Sequence, residues 1–503
     1  MVGKKLPTFI LHIFTPIKNT ISMNISPLLS ENVNVIKEKL KSSDVEFLPL
    51  QISNANATLI YITDIVNKEA LGELVIKPLA EYKGEVSKES IKKVFFSPEK
   101  KEVEKISNCL EEVVSGKSVL LIDGLNLAFS FGLEKYEKRA ITEPPTSTVL
   151  KGPREGFVES LPVNVSMIRR RLKTPDLTFE HITTGKISKT TIALCYVSGL
   201  ADDKLVSDLR KKIKNIKINA VLDSSYVSKL IGEHRSSLFK QLGNTEKPDI
   251  LISKILEGRV AIIVDGSPIA LTAPYLLIED FHSPSDSYTS PYTATLARIL
   301  RFFAVFISIF LPAFFVASEL FHLQLIPLSF LLTIVNSVKG IPLSPSYEMF
   351  FTLLIFETLN EASVRMPKYV GMVVSIVGGL VLGETAVNAG IISAPALMII
   401  AFSGICLYTV PELEQAFSVL RLAFLVVGGS IGGYGLIIVS AFTLIYLVSF
   451  ESFGAPLMAP FSPLIKNDLK DSIYKGFLPE ESSTPISINY KKFKRENQLK
   501  ERL

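Results

Sequence analysis

The sequence predicts an α+β membrane protein: two related α/β cytoplasmic subdomains followed by a multi-span α-helical membrane domain. Three observations carry this reading. Charge is segregated along the chain, a strand–helix–strand order recurs in the first 290 residues, and long apolar runs follow residue 300. The chain has 503 residues, 48% hydrophobic and 20% charged, with a mean hydropathy of +0.34. High hydropathy coexists with that many charges only when the two are kept apart. Residues 31–260 are rich in Lys, Glu and Asp, whereas 302–450 are dominated by Leu, Ile, Val, Phe, Gly and Ala. The length alone argues for about three structural units.

The soluble region repeats itself. The segments 58-TLIYITDIVNKEAL-71 and 191-TIALCYVSGLADDKL-205 each hold a β-branched strand. The segments 115-SGKSVLLIDGLNLAF-129 and 257-EGRVAIIVDGSPIAL-271 each hold a strand, an Asp-Gly turn and a second apolar run, which predicts a hairpin. Between the members lie helical stretches of mixed charge, 87–114 and 202–215. The expected subdomains are 1–148 and 149–290, joined near the Pro-rich stretch 142-TEPPTSTVLKGP-153.

Several function classes find no support. A net charge of +5 is small for this length and accompanies no nucleic-acid-binding motif. Cys109, Cys195 and Cys406 are scattered, without CxxC spacing, which suits a reducing compartment. The apolar run Phe9–Phe14 is short, interrupted by His12 and followed by no small-residue cleavage site, so a secretory signal is not expected. SGKS at 115–118 ends like a phosphate loop, but Glu111 stands where the first glycine is required. Asp123 and Asp265 read as turn residues rather than catalytic ones. His181, His234 and His282 lack metal-ligand spacing. Neither a catalytic set, a metal nor a cofactor is expected, and the soluble part reads as a binding and assembly module.

The membrane half, 291–450, holds apolar runs at about 302–321, 323–338, 370–387, 391–410 and 416–450. A span needs roughly 20 residues, which predicts four to six spans. Arg298 and Arg301 precede the first run and no Lys or Arg directly follows it, so the N-terminal region is expected in the cytoplasm. The Pro-rich, basic tail 451–503, with Lys491, Lys492, Lys494 and Arg495, is expected there too. The segment 347-YEMFFTLLIFETLNEASVRMPKY-369 breaks the pattern with Glu348, Glu357, Glu361, Arg365 and Lys368. At about 100° per residue, Glu357, Glu361 and Arg365 share one helical face. Ionised groups there point to water, a bundle interior or a partner. A re-entrant, amphipathic or bundle-lining helix near 347–365 is therefore expected. Glu357, Glu361, Arg365 and Glu348 are its pore-lining candidates, with Arg365 neutralising Glu361 and leaving Glu357 the more exposed. Gly379 and Gly383, and Gly429 and Gly433, are spaced for close helix packing. Glu384, Asn388, Glu412, Glu414 and Arg421 add polar interruptions.

Four stretches, 152-GPREGFVESLPVNVSMIRRRLKTPDL-177, 257-EGRVAIIVDGSPIAL-271, 370-VGMVVSIVGGLVLGETAVNAGIISAP-395 and 452-SFGAPLMAPFSP-463, occur in this order. By them the chain resembles the A subunit of the GerA family of bacterial spore germinant receptors. Departures are Glu361–Pro367 as EASVRMP, Pro284–Tyr288 as PSDSY and Gly383–Val387 as GETAV, where the family has EAGIRLP, PEDYY and GQAAV forms. The resemblance implies a non-enzymatic subunit of the spore inner membrane. Its implied partners are a permease-like, nutrient-binding B subunit and a lipoprotein C subunit. It further implies a homo-oligomer that forms a ligand-gated cation channel; a scaffold or signal-relay subunit without its own pore is the alternative. The basic stretch 164-NVSMIRRRLK-173, with Arg169, Arg170 and Arg171, is the expected contact with neighbouring copies or with anionic lipid.

Overall fold

The computed structural model describes residues 23–95, 99–135, 151–234, 236–367, 370, 379, 381, 383–476 and 485–489. The run Phe9–Phe14, most of the linker near 142–153, Lys368 and the basic residues Lys491, Lys492, Lys494 and Arg495 lie outside them. The chain forms an α+β structure of two compact units. The first is built from Met1–Thr148, Arg154–Ile231 and Asn244–Thr272, the second from Val149–Pro153, Gly232–Gly243 and Ala273–Leu503.

Within the first unit, the first repeat runs α1 (Leu29–Lys39), β1 (Val45–Ile52), β2 (Ala55–Ile62), β3 (Lys100–Val103), α2 (Ile106–Val114), β4 (Ser118–Ile122) and β5 (Ala128–Phe131). Its sheet has the order β1-β2-β4-β5-β3 and is antiparallel throughout. The second repeat runs α3 (Leu161–Arg171), β6 (Leu177–Thr184), β7 (Thr190–Val197), α4 (Asp203–Lys214), β8 (Gly243–Thr245), α5 (Pro248–Leu256), β9 (Val260–Val264) and β10 (Ala270–Ala273). Its sheet order is β6-β7-β9-β10-β8, the same topology. One face of the first sheet packs Ile60, Val119 and Leu121 against Ile36 and Val113 of α1 and α2. The other face buries Leu59, Leu120 and Phe129 with Val75, Leu79 and Ile91. Burial on both faces is why β4 and β9 read as continuous apolar runs instead of alternating ones.

The repetition reaches individual hydrogen bonds. Asn32 donates its amide to the Ser26 carbonyl at 2.6 Å and accepts from the Ser26 N–H; Asn164 does the same with Val158, also at 2.6 Å. Asp123 Oδ1 accepts the Leu29 N–H at the start of α1, and Asp265 Oδ1 accepts the Leu161 N–H at the start of α3, each at 3.1 Å. Both aspartates of the Asp-Gly turns therefore hold a helix entry. The hairpins read from those turns are β4–β5 and β9–β10. Strands β1, β3, β6 and β8 were not anticipated: β1 and β6 keep polar or prolyl residues at several positions, and β3 and β8 are short edge strands.

The repeats meet at the edge strand β6. The Ser43 N–H donates to the Phe179 carbonyl at 2.8 Å, the Phe179 N–H donates to Ser42 Oγ at 2.8 Å, and the His181 N–H donates to Ser43 Oγ at 3.1 Å. Arg169 grips Asp44 with two bonds of 3.0 and 2.8 Å, bonds Ser42 Oγ at 2.8 Å and lies over the Phe179 ring. The segment 42–44 of the first repeat thus covers the open edge of the second.

The second unit is a helix bundle: α6 (Pro291–Phe321), α7 (Leu328–Val338), α8 (Pro345–Arg365), α9 (Ala394–Leu407), α10 (Glu414–Ile431) and α11 (Gly433–Ser449). Among the described residues, 291–321 and 411–431 are helices long and apolar enough to cross a membrane. Contacts fix the helix directions. Ser346 donates to the Gly429 carbonyl and Asn360 donates to Glu414, so α8 runs antiparallel to α10. Glu348 accepts the Ser393 N–H, which sets the start of α8 beside the start of α9. Phe321 and His322 close against Gly432 and Gly433, so α6 and α10 end together. Gly429 and Gly433 make close approaches within the chain: an added Cβ would lie 2.7 Å from Ser346 Oγ and 3.0 Å from His322 Nε2. Gly383 faces Leu397, and Gly379 has open space.

Residues after the bundle fold back onto the start of α6. Arg298, buried, donates to the Asp471 carboxylate at 3.1 Å and the Ser472 carbonyl at 3.0 Å. Asp286 accepts from Arg298 and from Arg301, which hold its carboxyl below the usual range although burial works the other way. His282 donates Nε2–H to the Ser472 carbonyl at 2.9 Å. Burial first, then the Arg298 charge, push its pKa down to about 4. A histidine with a depressed folded pKa stabilises the fold above its unfolded value of 6.5, and this is lost as pH falls toward 4 because the unfolded chain binds the extra proton. The thermal midpoint of the wild type should therefore fall between pH 6.5 and 4 more steeply than that of His282→Gln; parallel profiles would rule the assignment out.

Candidate functional site

The polar residues of α8 divide into buried and open groups. Arg421 of α10 is fully buried. It donates to Glu357 Oε1 at 2.5 Å and to Ser403 Oγ of α9 at 3.0 Å, and its guanidinium lies 5.6 Å from the Phe356 ring centre. Ser418, one helical turn before Arg421, donates to the same Glu357 oxygen at 2.7 Å. Asn360 and Glu414 continue the network along the α8–α10 seam at 2.8 Å. Phe356 also fills the space over Gly404. Three helices thus converge on one ion pair. An arginine with this little access to water needs its counter-charge and its hydroxyl acceptor, because an unpaired buried charge is heavily penalised.

This corrects the expectation that Glu357 is the more exposed carboxylate of α8. Arg365 does pair with Glu361, at 2.5 Å, but both side chains are mostly exposed, 78% and 64%. Glu357 is the more enclosed carboxylate, at 29%, and its charge is met by Arg421. Glu348 is buried and accepts the Ser393 N–H at 2.6 Å, placing its carboxylate at the N-terminus of α9, where the helix dipole favours it. Leu353 is buried, Leu354 exposed. The open face of α8 carries Tyr347, Phe351, Leu354, Ile355, Thr358, Glu361 and Arg365. Arg421 was noted in the sequence only as a polar interruption. The signal that could have found its role is a lone arginine three residues after a serine in an otherwise apolar run.

The basic stretch of α3 also needs correction. Arg169 is not a surface group: it is 1% exposed and held by Asp44. Arg170 and Arg171 reach Glu155 at 2.7 and 2.5 Å. A single helical turn thus uses its three arginines for two different intramolecular contacts.

A second, half-buried cluster lies where α9 turns into α10. Lys240 Nζ contacts Asp280 and Glu412 at 2.8 Å each and lies over the Tyr275 ring, whose hydroxyl donates to Asp280 at 2.5 Å. Burial would lower the lysine's pKa, but the two carboxylates outweigh it and the net shift is upward. The cluster ties the excursion 232–243 to the segment before α6 and to the α9–α10 turn. It puts the end of α9 beside the approach to α6. At the end of α11, His234 packs against Phe450 with the rings tilted, and Ser452 donates to the Gln241 carbonyl, on that same excursion. The chain therefore enters and leaves the bundle at one end.

The sequence has counterparts among known proteins. The family described as Bacillus/Clostridium GerA spore germination protein matches residues 34–486. The chain belongs to this family. Spore germination protein KA of Bacillus subtilis (strain 168) is 35% identical over 478 residues, covering 92% of this chain and 87% of that protein. Uncharacterized membrane protein YfkQ of the same organism is 33% identical over 454 residues, covering 89% and 88%. Among solved structures, the N-terminal domain of the A subunit of the Bacillus megaterium spore germinant receptor GerK3 is 31% identical, covering 51% of this chain and 98% of that one, at a TM-score of 0.39. As a GerA-family member the chain has a role in spore germination.

Proposed function

We propose that this chain is the A subunit of a nutrient germinant receptor in the spore inner membrane, and that copies assemble into a ligand-gated cation channel whose opening starts germination. The observation that carries the reading is the set of buried polar and charged groups, Glu348, Thr352, Ser403 and Arg421, inside a bundle whose surface is rich in exposed Phe, Leu, Ile and Val. Entry and exit at one end of the bundle support an even number of crossings, with both termini in the cytoplasm. Helix α8, at 21 residues, is about 31 Å long, enough to cross. It is the span whose open face carries charge. In an assembly, Glu361 would appear once per copy near the axis, and rings of carboxylates attract cations. The permease-like B subunit, which binds the nutrient, and the lipoprotein C subunit complete the receptor.

The enclosure of Glu357 moves the test to Glu361. The expected result is that Glu361→Gln lowers cation conductance of the reconstituted chain, or the germination rate, with protein level unchanged. Its pair with Arg365 is exposed and worth at most about 1 kcal/mol, so stability should not intervene. Normal conductance in Glu361→Gln and Glu361→Lys would leave the scaffold or relay reading, in which the pore belongs to another protein.

A further inference from the structure

The two repeats align without a gap through 29-LSENVNVIKEKLKSSDVEF-47 and 161-LPVNVSMIRRRLKTPDLTF-179. Lys37 is thereby the counterpart of Arg169, Phe47 of Phe179 and Pro49 of His181. Ser42, Ser43 and Asp44 correspond to Thr174, Pro175 and Asp176. The equivalence is structural as well. The Thr63 N–H donates to the Asp44 carbonyl, and the Ser198 N–H to the Asp176 carbonyl, both at 2.9 Å.

Inside the chain, one member of each pair is used. The corner 42–44 covers the β6 edge, and Arg169 closes on Asp44. The reciprocal surfaces are left over. The β1 edge at Phe47–Pro49 is an open end of the first sheet, and among the described residues no strand edge is seated under the corner 174–176 as β6 is under 42–44. Lys37 is exposed and Asp176 half-buried, and neither makes an ion pair among the described residues.

We propose that copies associate head to tail, the corner Thr174-Pro175-Asp176 of one chain docking on the β1 edge of the next chain's first repeat. This rests on the oligomeric reading above and supplies its contact surface. The occupant is a second copy because the corner that fits this edge exists on the chain itself. Lys37 then reaches Asp176 as Arg169 reaches Asp44. Thr174 Oγ1 accepts the Phe47 N–H as Ser42 Oγ accepts that of Phe179. The third pair changes on both sides together: Ser43 on His181 inside the chain becomes Pro175 on Pro49 between chains, a polar contact replaced by an apolar one. Two prolines remove backbone donors there, so the contact is weaker than the internal one and stops open-ended strand pairing. Because the surfaces differ, the contact is heterologous and generates a ring when the rotation closes.

The test uses the full chain in detergent and in lipid nanodiscs. Its native cysteines are buried, which keeps the background low. Lys37→Cys and Asp176→Cys in one chain should give disulfide-linked dimers and larger species on mild oxidation. Either substitution alone should not, and a mixture of the two single variants should stop at dimers. Lys37→Asp and Asp176→Lys should each weaken association about tenfold, and together restore it. An intact assembly that ignores both reversals and yields no cross-link overturns this surface and leaves the oligomeric reading standing. A chain that is monomeric in both media overturns the two together.

Discussion

Glu357→Gln should sharply reduce the amount of folded protein, whatever it does to conductance. The substitution is nearly isosteric, so packing is not the cause. It removes the counter-charge of Arg421, which has no exposure, and leaves Ser403 and a neutral amide as its hydrogen-bond partners. Breaking a buried pair from one side is worth about 3–5 kcal/mol, and the partial exposure of Glu357 puts this case near the lower figure. Against a typical total stability of about 5–15 kcal/mol, that is a large fraction. Removing both charges should behave differently. Glu357→Leu with Arg421→Met leaves no stranded ion and should recover most of the folded protein. Thermal midpoint and membrane yield measure both. A double variant no better than the single one would mean that the pair contributes more than charge balance. A stable Glu357→Gln would mean that Arg421 finds another counter-charge in the assembled receptor.

Much of the fold was legible because its signals are local. The Asp-Gly turns after Ile122 and Val264 mark both hairpins, and the turn role of Asp123 and Asp265 follows from residue type alone. The switch from mixed charge to apolar runs near residue 300 separates the sheets from the bundle. What stayed hidden depends on partners distant in sequence. Glu357 and Arg421 are far apart along the chain, and helical periodicity orders one face of α8 without naming what lies opposite. Periodicity orders Glu357, Glu361 and Arg365 along one side of α8, but Glu357 is enclosed against α10 while Glu361 and Arg365 stay open. The same holds for Arg169. Three successive arginines look like a surface patch, and only the folding of 42–44 onto β6 makes the first of them a core residue. The repeat itself was readable more fully than the strands suggested: 29–47 and 161–179 share Leu, Asn, Val, Ile, Asp and Phe at equivalent places, masked by differing charges between them.

The joint between the repeats should be as sensitive as the pair in the bundle. Asp44 and Arg169 are both inaccessible, at 0% and 1%, and make two direct bonds with Ser42 alongside. Asp44→Ala strands the guanidinium beside Phe179 and opens a gap at the corner that covers β6. A loss of about 3–5 kcal/mol is expected. Because 42–44 supply the bonds to Phe179 and His181, the loss should be local first: hydrogen exchange at Phe179 and His181 should accelerate before the two sheets unfold. Arg170→Ala, by contrast, disturbs a half-exposed pair with Glu155, worth at most about 1 kcal/mol, and Arg171 still meets that carboxylate. The contrast between neighbouring arginines is the decisive readout. Equal effects of Asp44→Ala and Arg170→Ala on exchange at β6 would show that the edge is held by the Ser42 and Ser43 bonds alone. A large difference, with β6 loosened only by Asp44→Ala, is what a charge-locked joint between two copies of one sheet requires.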